Sequence, residues 1–201
     1  MRRAWGWAAT LLAAPLLSWR ACAAWDVRRF GGQGAVAPDE PVQGPTGAEP
    51  FAHGAVWVVP RADFSATVRV LHAEDYRRDV DGALVPVDLA VAWGALSEAG
   101  VAQSLWVHQS SRYYSWRSSA DFPIPPGEIS RSSANMHMIP ADAETEDTLL
   151  SIGRGDVVSY TGWLVDVEGA QRNWHSSLTR EDTGSYACEV VFVTSVRVLP
   201  D

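Results

Sequence analysis

The run Ile152-Gly-Arg-Gly-Asp-Val-Val-Ser-Tyr-Thr-Gly-Trp-Leu-Val165 constrains the fold more than any other stretch of the chain. A Gly-Asp turn at 155–156 leads into a long strand pattern, Val157 to Val167, with Gly162 in its middle. Glycine has no side chain to pack inside a strand, so it marks a bulge, a sharp bend or a close backbone approach. A long strand that must bend belongs to a sheet that curls back on itself.

The rest of the chain agrees with that reading. Ala55 to Val59 reads as a buried strand closed by Pro60, and Ala66 to His72 alternates as a half-buried one. Tyr76 to Gly82 is rich in charge and reads as an exposed turn. Val85 to Trp93 supports two readings: Asp88 as a helix cap, or an extended segment favoured by Val85-Pro-Val87. Ser97 is placed to cap a short helix through Gln103. Leu105 to His108 and Arg112 to Arg117 read as strands, and Phe122 to Pro126 as extended chain. Ser133 to Ile139 runs from polar to apolar. Asp142 opens the best helix candidate, acidic in its first turns and stopped at Gly153. Trp174 to Leu178, Cys188 to Val193 and Ser195 to Leu199 complete a β-rich tail. The expected fold is mainly β with one or two short helices. It is a small barrel or strongly curved antiparallel sheet, OB-like in the pattern around Gly162.

Before this domain stands a leader. Arg2 and Arg3 precede an uncharged, mostly apolar run from Ala4 to Leu17, and Ala21-Cys-Ala23 offers small residues before a cleavage point. The run is shorter than the roughly 20 apolar residues a membrane-spanning helix needs. Residues 1–23 are therefore expected to be a signal peptide, and membrane contact is expected only through that segment. Residues 24–50, rich in Gly, Pro and Ala, read as a flexible arm or linker. Residues 51–201 read as a single β-rich domain. The protein is expected to be exported, periplasmic or secreted, with anchoring through an uncleaved N-terminal segment as the alternative. Cleavage removes Cys22 and leaves Cys188 as the lone thiol, in an apolar strand pattern where a buried structural role is the default.

Charge excludes some functions. The chain has no lysine, and removing residues 1–23 leaves 13 arginines against 24 acids, a net charge of −11. Such a surface repels phosphate backbones, so no nucleic-acid partner is expected. HExxH, CxxC, EF-hand, P-loop and dinucleotide signatures are all missing, so neither a metal nor a cofactor is expected.

Three clusters of polar residues remain. In an extended segment Asn135 and His137 share one face while Met136 and Met138 take the other, an arrangement that suits a pocket wall or a hydrogen-bonded structural histidine. Arg112 and Arg117 flank Tyr113, Tyr114 and Trp116, a mixture that stacks on flat ligands and holds anions but also packs ordinary sheets. His175, Ser176 and Ser177 are no hydrolytic triad, because adjacent strand residues face opposite ways. The candidate pocket is Arg112, Trp116, Asn135, His137 and Arg180. It fits an exported ligand-binding or envelope-associated domain. The alternative is a hydrolase of cell-envelope or extracellular polymers, with His137 as general base and Arg112 or Arg180 stabilising an anion.

Several motifs occur in order between residues 55 and 195. They include Arg112-Tyr-Tyr-Ser-Trp116, Ser133-Ala-Asn-Met-His-Met-Ile-Pro-Ala141 and Ser176-Ser-Leu-Thr-Arg-Glu-Asp-Thr-Gly184. Together they resemble a family of uncharacterised exported bacterial proteins. The resemblance implies export and brings no catalytic residues. A shorter likeness, Glu181 to Cys188, resembles the tyrosine corner of immunoglobulin domains, but that fold needs a second cysteine upstream that the processed chain lacks.

Overall fold

The computed structural model describes residue 30, residues 36–179, residue 182 and residues 187–200. The expected leader and Arg180 lie outside the described residues. In chain order the strands are β1 (Val42–Gly44), β2 (Phe51–His53), β3 (Val56–Asp75), β4 (Val87–Ala92), β5 (Trp106–Ser110), β6 (Tyr113–Arg117), β7 (Ser133–Pro140), β8 (Val157–Glu168), β9 (Trp174–His175) and β10 (Glu189–Leu199). The helices are short: α1 (Ala99–Ser104), α2 (Pro126–Arg131) and α3 (Ala143–Ser151). No helix among the described residues is long and apolar enough to cross a membrane.

Five strands close a ring. β3 pairs with β4, β4 with β7, β7 with β10, β10 with β8, and β8 returns to β3. Every junction is antiparallel except β7–β10, which is parallel. A parallel neighbour cannot be reached by a hairpin, so the chain between β7 and β10 crosses through α3 and β8. The result is the small, strongly curved β barrel that the glycine-bent strand led one to expect. Its interior is filled by alternate residues of each strand, among them Val68, Leu89, Met136, Met138, Tyr160 and Val191, with Leu149 of α3 packed against them. Asp142 caps α3 by accepting from the Thr145 amide at 2.8 Å.

Gly162 sits opposite Val193, where β10 is bulged between Val193 and Ser195. A Cβ on Gly162 lands 1.9 Å from the Phe192 carbonyl oxygen, so the close approach itself demands glycine. Gly162→Ala is expected to cost about 1–3 kcal/mol by overpacking against that backbone. Urea denaturation measures it, and an unchanged midpoint contradicts the close approach.

The structure corrects several sequence expectations. Pro60 does not close a strand: it lies inside the twenty-residue β3, which continues to Asp75 with a register shift between Pro60 and Ala62. The register shift puts Pro60 beside a bulge, one of the places where a sheet tolerates proline. Asp88 caps no helix; it lies fully buried as the second residue of β4. Ser97 is no cap for α1 either. Its hydroxyl donates to the Gly94 carbonyl and receives the Ala37 amide, fastening the segment before β1 to the barrel. The turn after β3 is not simply exposed, since Asp81 is buried within it. Pro126 is the first residue of α2, where its fixed φ is favourable, rather than the end of extended chain.

Candidate functional site

Both faces of β4 and β7 are buried along their whole length. The inner faces line the barrel, so something must cover the outer ones. That cover is the β5–β6 hairpin, the turn after β3 and the segment around Trp174. Under it, strand alternation places Asp88, Asn135 and His137 outside the barrel while Leu89, Met136 and Met138 point in.

Register brings the acid to the histidine. Asp88 of β4 stands directly opposite His137 of β7. His137 Nδ1 lies 3.0 Å from Asp88 Oδ2, an ion-pair contact without full hydrogen-bond alignment. The other oxygen, Oδ1, accepts from the Arg112 guanidinium at 2.8 Å. Arg112 also donates to Asp79 at 3.0 Å and to the Val85 carbonyl at 3.0 Å, and it lies 3.9 Å from the centre of the Tyr76 ring. Asp79 in turn holds Arg172. A fully buried carboxylate is tolerable only when paired, and here two cationic groups flank it.

The hairpin connection is strained to deliver Arg112. Ser111 and Arg112 both adopt left-handed backbone, with φ of 53° and 71°. Neither is glycine, so each costs energy that the surroundings must offset. The offsetting contacts are visible: the Arg112 amide donates to the Tyr76 hydroxyl at 2.9 Å, and the Arg112 carbonyl accepts from Asn135 Nδ2 at 3.1 Å. Asn135 is oriented by Gln109, whose Nε2 donates to Asn135 Oδ1 at 2.6 Å, and Gln109 Oε1 lies 2.7 Å from His72 Nδ1.

The thiol joins from the strand on the other side. β10 runs parallel to β7, with Glu189 opposite Met136 and Val190 opposite His137. Cys188 thus enters the ladder beside Asn135, whose Nδ2 lies 3.7 Å from the sulfur. Cys188 is half-buried, and it lines two cavities at once. Burial alone disfavours charge on the His137 ring. The Asp88 carboxylate and a hydrogen bond to the Cys188 sulfur overcome it, and the imidazole is raised from 6.5 to about 9. With Nδ1 facing Asp88, Nε2 is the nitrogen left for the sulfur and the cavity. Trp174 packs edge-on against the ring at 5.0 Å and is itself held by Asp81, which accepts from its indole N–H at 3.1 Å.

Of the residues singled out from the sequence, Arg112, Asn135 and His137 meet here. Trp116 does not touch them; it lines the adjoining cavity, which reaches the same sulfur. Arg180 lies outside the described residues. Sequence reasoning missed Asp88 as a partner and treated Cys188 as a packing residue. A lone acid inside Val87-Asp-Leu-Ala-Val-Ala92 was the available signal, because an acid in an apolar strand needs a cationic neighbour. Among the described residues no group of three or more His, Cys, Asp or Glu is placed to hold a metal. The arrangement is a sulfur, an imidazole and a carboxylate in series, with an amide N–H beside the sulfur. No family model matches this sequence, and no curated protein or solved structure is significantly similar to it.

Proposed function

We propose that the protein is an exported enzyme performing thiol-dependent acyl transfer, with hydrolysis of cell-envelope or extracellular polymers as its outcome. The observation that carries this reading is the His137 ring, set between a fully buried Asp88 and a half-buried Cys188 that opens on two cavities. Structural histidines need one partner; this one has an orienting acid on one side and a nucleophilic atom on the other.

The chemistry follows from the neighbours of the sulfur. An imidazolium beside a sulfur stabilises the negative charge that makes it a nucleophile. The Cys188 thiolate attacks a carbonyl carbon, and the oxygen takes up the negative charge. Asn135 Nδ2 lies 3.7 Å from the sulfur and holds it in place. His137 gives its proton to the leaving group, which departs and leaves an acyl thioester on Cys188. Neutral His137 then takes a proton from water. The hydroxide adds to the thioester, the acid is released, and the thiolate–imidazolium pair is restored. Asp88 keeps the ring in place through both halves without giving up a proton itself.

Alkylation tests this directly. At pH 6 the native protein should react with iodoacetamide at Cys188 about tenfold to a hundredfold faster than glutathione does. Peptide mass spectrometry assigns the site. His137→Gln, checked for folding by its melting curve, should bring the rate down to that of the free thiol. A native Cys188 no more reactive than glutathione overturns the reading and leaves the same cavities as those of a non-enzymatic binding domain.

A further inference from the structure

The two cavities that meet at Cys188 differ in a way that assigns them sides of the reaction. One, of about 350 Å³, is walled by Trp93, Tyr114 and Trp116, with Ser130 and Ser133 hydroxyls and the carboxylate of Asp182 at its edge. The other, of about 340 Å³, is lined by Arg112, His137, Arg172, Trp174 and His175. Among the described residues they share only Tyr113 and Cys188. The described lining of the first holds no cation, and that of the second holds no carboxylate.

Resting on the thiol reading above, we infer that the first cavity binds the acyl group of the substrate and that the leaving group departs through the second. His137 decides the direction. It supplies the leaving group's proton, and it lines the second cavity only. The acyl side of the carbonyl must then point the other way, into the aromatic cavity.

That cavity also defines what it takes. Its volume lies in the range of small-ligand sites and holds about a dozen non-hydrogen atoms at roughly 30 Å³ each. Flat rings on its walls suit a flat or apolar group. The substrate class is an ester, thioester or amide whose acyl part is uncharged and has a flat face.

Para-nitrophenyl esters separate the two sides, because the leaving group stays constant while the acyl group changes. The burst of nitrophenolate gives the acylation rate, and intact mass gives the thioester on Cys188. Phenylacetyl ester should acylate about tenfold faster than acetyl ester, and also faster than the anionic succinyl ester. Trp116→Ala should bring the phenylacetyl-to-acetyl ratio to within about twofold, and Trp116→Phe should restore most of it. A burst with the acetyl ester but no acyl preference overturns this inference alone. So does a preference that survives Trp116→Ala. Neither a burst nor an adduct with any ester overturns the thiol reading itself.

Discussion

Replacing Asp88 with alanine is expected to lower the unfolding free energy by about 3–5 kcal/mol, the range for removing one partner of a buried charge cluster. Asp88 is fully buried, and its two oxygens face the Arg112 guanidinium at 2.8 Å and His137 Nδ1 at 3.0 Å. Alanine leaves both cations in place without the carboxylate that compensates their burial. Arg112 keeps Asp79, but His137 loses its only carboxylate contact among the described residues. Urea denaturation at pH 6.5 measures the loss. The double variant Asp88→Ala with His137→Gln should lose less than the two single losses added, since the residues form one unit. A single-variant loss below about 1 kcal/mol contradicts a desolvated cluster, because pairs that water reaches are worth no more than that.

The second large effect is alkaline weakening. His137 is raised from 6.5 to about 9 in the folded protein, so the native state binds its proton more tightly than the unfolded chain does. The stabilisation is fully present below pH 6.5 and is lost as pH rises through about 9. A difference of that size corresponds to about 3 kcal/mol. The groups facing the ring are Asp88, Cys188 and Trp174, and behind Asp88 stands Arg112. Chemical denaturation from pH 6 to 10, compared between native protein and His137→Gln, isolates the contribution. The native curve should fall relative to the variant across that interval. Parallel curves contradict a protonated, paired His137.

The two effects share a structural origin. The site lies on the outer wall of the barrel, where β4 and β7 are buried on both faces and a strained hairpin forms part of the cover. Desolvation makes each charge expensive alone and strong when paired. The same desolvation makes an imidazole–sulfur pair useful, since hydrogen bonds are stronger where the local dielectric is low.

What the sequence by itself determined were features read within one segment. The bend at Gly162, the cap at Asp142, the curled sheet, and the division of Asn135 and His137 from the two methionines all follow from local periodicity or local sterics. The tertiary structure alone decided which segments lie side by side. Asp88 meets His137 through an antiparallel register across 49 positions, and Cys188 meets His137 through a parallel pairing of β10 with β7. Nothing local encodes those pairings, because register is chosen by closing the barrel and burying every inner face at once. Pro60 shows the reverse case: a local stop signal overridden because the closing sheet supplies a bulge for it. A catalytic reading of Cys188 was out of reach for the same reason, since a thiol in an apolar strand looks like packing until its neighbours across the ladder are known.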